Sequence, residues 1–227
     1  MTITTQALDF DWDRFGGTFI DAIGDTLLMV IVTMIVGGFL GLIIGVLLYS
    51  TRDQGVLRNK FVYTVLNLLV NFIRPIPFII LIAAIGPLTL KVIGTTVGTN
   101  AVMFVMSIAA TFGVARIVEQ NLVSIDPGVV EAARAMGASP LKIITSVIIP
   151  EALGPLILGY TFLFIAVVDM SAMAGIIGGG GLGDFAITYG YQSFNWSVTL
   201  VATLAIIVIV QIAQLLGNWL SRKVMRR

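Results

Sequence analysis

Glu131, Arg74, Asp169 and Ser171 are the residues whose types could do chemistry in this chain, because histidine and cysteine are both absent from its 227 residues. That absence removes thiol catalysis, disulfides, His-ligated metal sites, imidazole bases and imidazole proton relays together. Glu131 stands as an isolated carboxylate, and general acid–base catalysis needs a partner it does not have. A serine nucleophile would be left with lysine as its base, and Lys91 and Lys142 both fall outside the apolar runs. No catalytic residue and no metal site are therefore expected. Gly178, Gly179, Gly180, Gly181, Leu182 and Gly183 formally contain G-x-G-x-x-G. A nucleotide site on that pattern needs a preceding strand and a βαβ unit, whereas this run follows a long apolar segment. No Walker A pattern occurs anywhere in the chain. The glycines read instead as a tight, close-packed loop at the outer end of a span.

Two of these residues belong to apolar surroundings. Arg74 sits in Arg74-Pro75-Ile76-Pro77, about 18 Å along an apolar helix at about 1.5 Å per residue, near mid-membrane. A charge at that depth faces the bundle interior or a wet cavity. It could satisfy carbonyls freed by the two prolines, or meet a ligand carboxylate or gate. Asp169-Met170-Ser171-Ala172-Met173 offers small residues, a hydroxyl and adaptable thioethers, with Asp169 able to balance an ammonium group. Against that stands a hydrated Asp169 marking the outer end of its span.

The elements that must position these residues are membrane helices. Hydrophobic residues make up 58% of the chain and charged ones 11%, against roughly 25% charged in a soluble domain. Apolar runs predict five spans, at about 26–49, 61–85, 96–114, 152–168 and 196–220. Residues 86–100 read as a short connection. The acidic N-terminal segment holds Asp9, Asp11, Asp13, Asp21 and Asp25 and lacks the basic region of a signal peptide. Phe10, Trp12, Phe15 and Phe19 predict a short amphipathic element lying on the membrane surface. Gly37, Gly41 and Gly45 make a strip for close approach of another helix. Arg116 and Glu119, three apart, can pair on one helix face. Arg52, Arg58, Lys60, Arg116, Arg134, Lys142 and the tail Arg222, Lys223, Arg226 and Arg227 fall on one side of this arrangement; Arg14 and Lys91 fall on the other. The positive-inside rule then places the N-terminus outside and the C-terminus in the cytoplasm. Tyr189, Tyr191, Phe194 and Trp196 fit an outer aromatic belt.

Residues 124–150 form a polar insert between the third and fourth spans. Asp126-Pro127 reads as N-cap and first helical residue, and Gly137 as the left-handed residue that ends the helix. Ser139-Pro140 starts a second short helix running towards Pro150. Ala132, Ala133, Ala135 and Met136 offer a small apolar surface for a partner's groove, and Glu131 a polar contact and helix cap.

Glu131-Ala132-Ala133, Gly137 and Val147-Ile148-Ile149-Pro150 together resemble the EAA loop of ABC importer permeases, EAA-x3-G-x9-I-x-L-P, with Val147 and Ile149 at the two aliphatic positions. The flanking stretches NFIRPIPFIIL and SAMAGIIGGGGLGDFAITYGYQSFN are similar to methionine ABC importer permeases. Relatives usually carry an uncharged pair such as Gly-Tyr where this chain has Asp169-Met170. The resemblance runs from about Phe61 to the C-terminus. It implies an all-α, five-span membrane protein with two short cytoplasmic coupling helices, acting as one transmembrane domain over residues 1–227 in a bacterial inner membrane. It implies that Glu131, Ala132, Ala133, Gly137 and Pro150 couple to an ABC ATPase dimer that carries the ATP and Mg, with no cofactor on this chain. It also implies a homodimer, lipid around it, an extracytoplasmic substrate-binding protein or lipoprotein facing the glycine loop, and no nucleic acid. The expected activity is import of an amino acid, methionine foremost, by alternating access. A different small polar solute, or an ion-coupled secondary transporter with a midplane carboxylate, are the alternatives.

Overall fold

The computed structural model describes residues 10–225, so Asp9, Arg226 and Arg227 lie outside the described residues. The described chain is all-helical, with no strand among these residues. Ten α-helices follow one another: α1 Trp12–Thr51, α2 Lys60–Ile73, α3 Phe78–Ala84, α4 Gly86–Ile93, α5 Thr99–Val123, α6 Pro127–Ala135, α7 Pro140–Ile143, α8 Ile149–Ala174, α9 Gly181–Asp184 and α10 Trp196–Met225. Among the described residues four helices are long and apolar enough to cross a membrane, one of them running from Pro140 through α8, and the bent pair α2–α3 makes a fifth where the pair is counted as one span.

Several expectations change here. The surface element predicted around Phe10–Phe19 is the first part of α1, which runs unbroken for 40 residues. Asp11 starts it, its carboxylate accepting from the Arg14 N–H at 3.0 Å. Phe15 and Phe19 turn inward against Phe185, Leu182 and Val198, so core packing claims the aromatic side that the sequence suggested for the membrane surface. The second span is not one helix: the chain bends by 107° between α2 and α3. Pro75 and Pro77 have no N–H for the helical ladder; Arg74 still holds α geometry before Pro75, and by Pro77 the backbone is extended at ψ 137°. The stretch predicted as a connection folds into α4, closed by Gly94 at φ 87°. The third span runs on to Val123, because Arg116 and Glu119 pair with each other inside it.

The second short helix expected after Gly137 is continuous with the fourth crossing. α7 passes through a π-type turn at Ile144–Ile148 directly into α8. This wider turn immediately precedes Pro150, where an α-helical ladder would need the N–H that proline lacks. Ile143, Ile144 and Ile148 are buried beneath it.

The chain divides into two compact units. One comprises Met1–Ile35, Pro77–Ile108 and Phe164–Ala213; the other comprises Val36–Ile76, Ala109–Leu163 and Gln214–Arg227. In the first, the glycine loop is a packed core element. The Leu182 N–H donates to Thr26 Oγ1 at 2.8 Å, and Thr99 Oγ1 donates to the Gly179 carbonyl at 3.1 Å. A Cβ on Gly183 would collide with the Ala172 backbone. In the second, Gly41 and Gly45 of α1 lie directly on α5, as the four-residue strip predicts. Tyr160 donates to the Gly38 carbonyl at 2.8 Å, tying α8 to the same region of α1.

Candidate functional site

The elbow between α5 and α8 is built from its ends inward. At the start of α6, Asp126 Oδ1 accepts from the Gly128 N–H at 2.8 Å, and Pro127 takes the first helical position, where no N–H is needed. At the other end Gly137 has φ 79°. Its N–H donates to the Arg134 carbonyl at 2.9 Å, and the Ala138 N–H donates to the Ala133 carbonyl at 3.1 Å. Those two bonds are the paired closure of a Schellman cap, which requires the left-handed conformation that glycine alone adopts without cost. No atom lies within 4 Å of where a Gly137 Cβ would stand, so the constraint is φ and not space. α6 is thus held at both ends by its own sequence. Replacing Asp126 with alanine should destabilise α6 by about 1 kcal/mol, seen as roughly fivefold faster hydrogen exchange of its first-turn amides.

The predicted coupling residues sort into two sets. Ala133 is buried, with α6 packed on α7 and the π-type turn. Glu131 and Ala132 are exposed, as are Val129 and Met136, and Leu141 of α7 adds to the same exposed surface. Val129, Ala132 and Met136 recur at i, i+3 and i+7, so they share one helix face. Met136 is 81% exposed and Leu141 70% exposed, an apolar surface suited to a partner's groove. Glu131 does not cap the helix; Asp126 does. Pro150 is the second residue of α8 and is exposed.

Beside α6 and the end of α1 lies a half-open cavity of about 370 Å³, lined by Tyr49, Arg52, Ile125, Val130, Glu131 and Arg134. The Arg52 guanidinium stacks over the Tyr49 ring at 4.5 Å. Arg134 Nη2 donates to the Gly55 carbonyl at 3.2 Å, pinning α6 to the loop after α1. Sequence reading gave no sign of this cavity, since its walls come from segments far apart in the chain.

The substrate-path residues are also divided. Asp169 and Met173 lie four apart on one exposed face of α8. Ser171 points the other way: it is buried, and its hydroxyl donates to the Val168 carbonyl at 2.7 Å. Arg74 is exposed at the end of α2, and no hydrogen bond from its side chain to the freed carbonyls is present among the described residues. A cluster the sequence only half disclosed lies one helix away. Arg116 Nη1 meets Glu119 Oε2 at 2.5 Å, while Nη2 reaches Asn67 at 2.8 Å and Asn71 at 2.5 Å. The Arg116–Glu119 spacing was legible; the two asparagines were not, because only the packing of α2 on α5 brings them near. No cluster that could hold a metal ion occurs among the described residues.

Comparisons with known proteins place this architecture. Residues 37–226 match the model of the binding-protein-dependent transport system inner membrane component. A probable D-methionine transport system permease protein of Vibrio cholerae is 42% identical over 202 residues, spanning 89% of this chain and 90% of that protein. The methionine import system permease protein of Bacillus subtilis is 42% identical over 181 residues, 80% of this chain and 82% of its own. The inward-facing MetNI methionine ABC transporter matches with a TM-score of 0.90 at 36% identity, covering 93% of this chain and 98% of that one. With its helices, its capped elbow and these likenesses together, the chain belongs to the family of binding-protein-dependent transport system inner membrane components, multi-pass permease subunits of ABC importers.

Proposed function

We propose that this chain is the permease subunit that carries methionine into the cytoplasm, powered by ATP and Mg held on a separate ATPase dimer. The observation that carries the reading is α6. It is a rigid helix capped at both ends, with an exposed apolar face beside Glu131, placed within the stretch that resembles the EAA loop. Such a helix can transmit a push from a partner without fraying, which coupling between two distant sites requires. Relatives of similar length are methionine permeases, and that supports the choice of solute.

The whole chain would act as one transmembrane domain, with its N-terminus outside and its C-terminus inside, as the basic residues favour. Two copies around a two-fold axis would frame the path, since one five-span chain makes a poor conduit by itself. Closing of the ATPase dimer would move α6 and rock the spans between two states of different contact energy. An extracytoplasmic binding protein or lipoprotein would deliver the solute near the glycine loop, and the exposed Asp169–Met173 face would meet it. Glu131, Ala132 and Gly137 would serve the docking side directly, with Ala133 and Pro150 setting the elbow behind them.

The test is the Gly137→Val variant in proteoliposomes with the ATPase. A β-branched residue in the left-handed region costs on the order of 1–2 kcal/mol locally, little for the bundle but enough to open the Schellman closure. ATP-driven methionine uptake should fall at least tenfold while the permease still assembles in detergent. Uptake at the parent rate would overturn the coupling role of the elbow.

A further inference from the structure

α2 sorts its residues onto three sides. Lys60, Thr64, Asn67, Asn71 and Arg74 follow one another at i, i+4, i+7, i+11 and i+14. At about 100° per residue they fall within an arc of roughly 80°. Tyr63, the remaining polar residue of the helix, is turned into the cluster of Leu48, Val70 and Ala115. On the opposite flank Phe61, Leu68 and Phe72 are 77%, 64% and 76% exposed, an apolar side suited to lipid. The polar stripe therefore runs between a packed side and a greasy side, and Thr64, Asn71 and Arg74 within it are themselves exposed.

The stripe is braced from α5. Arg116 donates to both asparagines, and Asn71 Nδ2 donates to Asn67 Oδ1 at 3.1 Å, which fixes the two amides side by side. The charge on Arg116 is balanced by buried Glu119. Lys60 and Arg74 have no acidic partner among the described residues. Hydrocarbon offers such groups no hydrogen bonds, so a row of them along about 21 Å of helix must face water or a polar solute.

Resting on the permease reading above, we infer that the stripe Lys60–Thr64–Asn67–Asn71–Arg74, held in place by Arg116, is a wetted wall of the solute path and steers the carboxylate end of the solute. Two unbalanced cations with amide donors between them complement a carboxylate. Several weak contacts in a row, without one deep site, let a solute enter and leave.

Because the chain has no cysteine, single-cysteine variants can be probed without background. Thr64→Cys and Asn71→Cys, with Leu68→Cys and Phe72→Cys as exposed lipid-side controls, are assembled with the ATPase in proteoliposomes. They are then treated with a charged, membrane-impermeant methanethiosulfonate. The stripe positions should react at least tenfold faster than the controls. Methionine should slow that reaction, whereas methioninamide, which lacks the carboxylate, should not. Equal rates at all four positions, as for a stripe in lipid or sealed against a second copy, would overturn the wetted wall. Equal protection by methionine and its amide, or protection by neither, would overturn the carboxylate role. Methionine uptake by the parent protein in the same vesicles tests the permease reading separately, since a periodic labelling pattern without uptake would count against that reading and leave the wall standing.

Discussion

Replacing Glu119 with alanine is expected to lower the apparent melting temperature of the detergent-purified protein by about 10 °C, from a loss of about 3–5 kcal/mol. The Glu119 side chain is 7% exposed and that of Arg116 16% exposed, so the guanidinium cannot recover its hydration when the carboxylate is removed. Asn67 and Asn71 still offer oxygens, but neutral amides do not offset a charge. The penalty lies in stranding the cation, more than in losing the attraction. The double variant Arg116→Met with Glu119→Leu should therefore be less damaged than Glu119→Ala alone, with the asparagine pair still bonded to itself. A Glu119→Ala protein that melts with the parent would show that water reaches the pair freely.

The second large effect concerns the glycine strip of α1. A Cβ at Gly45 would stand 2.6 Å from the Ala115 carbonyl oxygen and 2.6 Å from Val118 Cβ, and one at Gly41 would stand 2.6 Å from the Thr111 carbonyl oxygen. Two of these obstacles are backbone atoms, so no rotamer change can make room. Gly45→Val should cost at least about 3 kcal/mol by forcing α1 away from α5, and should appear as loss of monodisperse protein on size exclusion after mild heating. Gly24→Ala in the same helix is the control. Nothing lies within 4 Å of a Cβ there, and alanine in place of a helical glycine should leave stability unchanged or raise it by up to about 1 kcal/mol. If Gly45→Val were tolerated as well as Gly24→Ala, close approach would not be what the strip provides.

These two experiments touch different kinds of information in the chain. The glycine strip is a one-dimensional pattern: small residues at four-residue spacing mark a seam whatever helix fills it. The elbow was equally legible. Asp126, Pro127 and Gly137 carry their structural meaning in their own backbone chemistry, and α6 begins and ends where they dictate. The apolar runs marked out a polytopic helical protein for the same reason, since a helix satisfies its polar backbone within the segment.

Local chemistry gave out where two segments had to meet or where a helix chose between continuing and stopping. Arg74-Pro75-Ile76-Pro77 announced a disturbance, but a kink and a 107° bend begin with the same missing donors. Pro150 looked like the end of a short helix, and a π-type turn carried the chain through it instead. Ser171 read as a free hydroxyl until its burial and its bond to Val168 showed which way α8 faces.

What the sequence determined unaided is therefore the class of molecule and the caps of α6, because these follow from composition, period and backbone preference within short windows. Only tertiary structure decided that Phe15 and Phe19 belong to a core, that Ala133 is covered while Met136 is not, and that two asparagines of α2 share one guanidinium of α5. Those outcomes depend on which helix faces touch, and contact between segments far apart in the chain is a property of the packed molecule that no local pattern encodes.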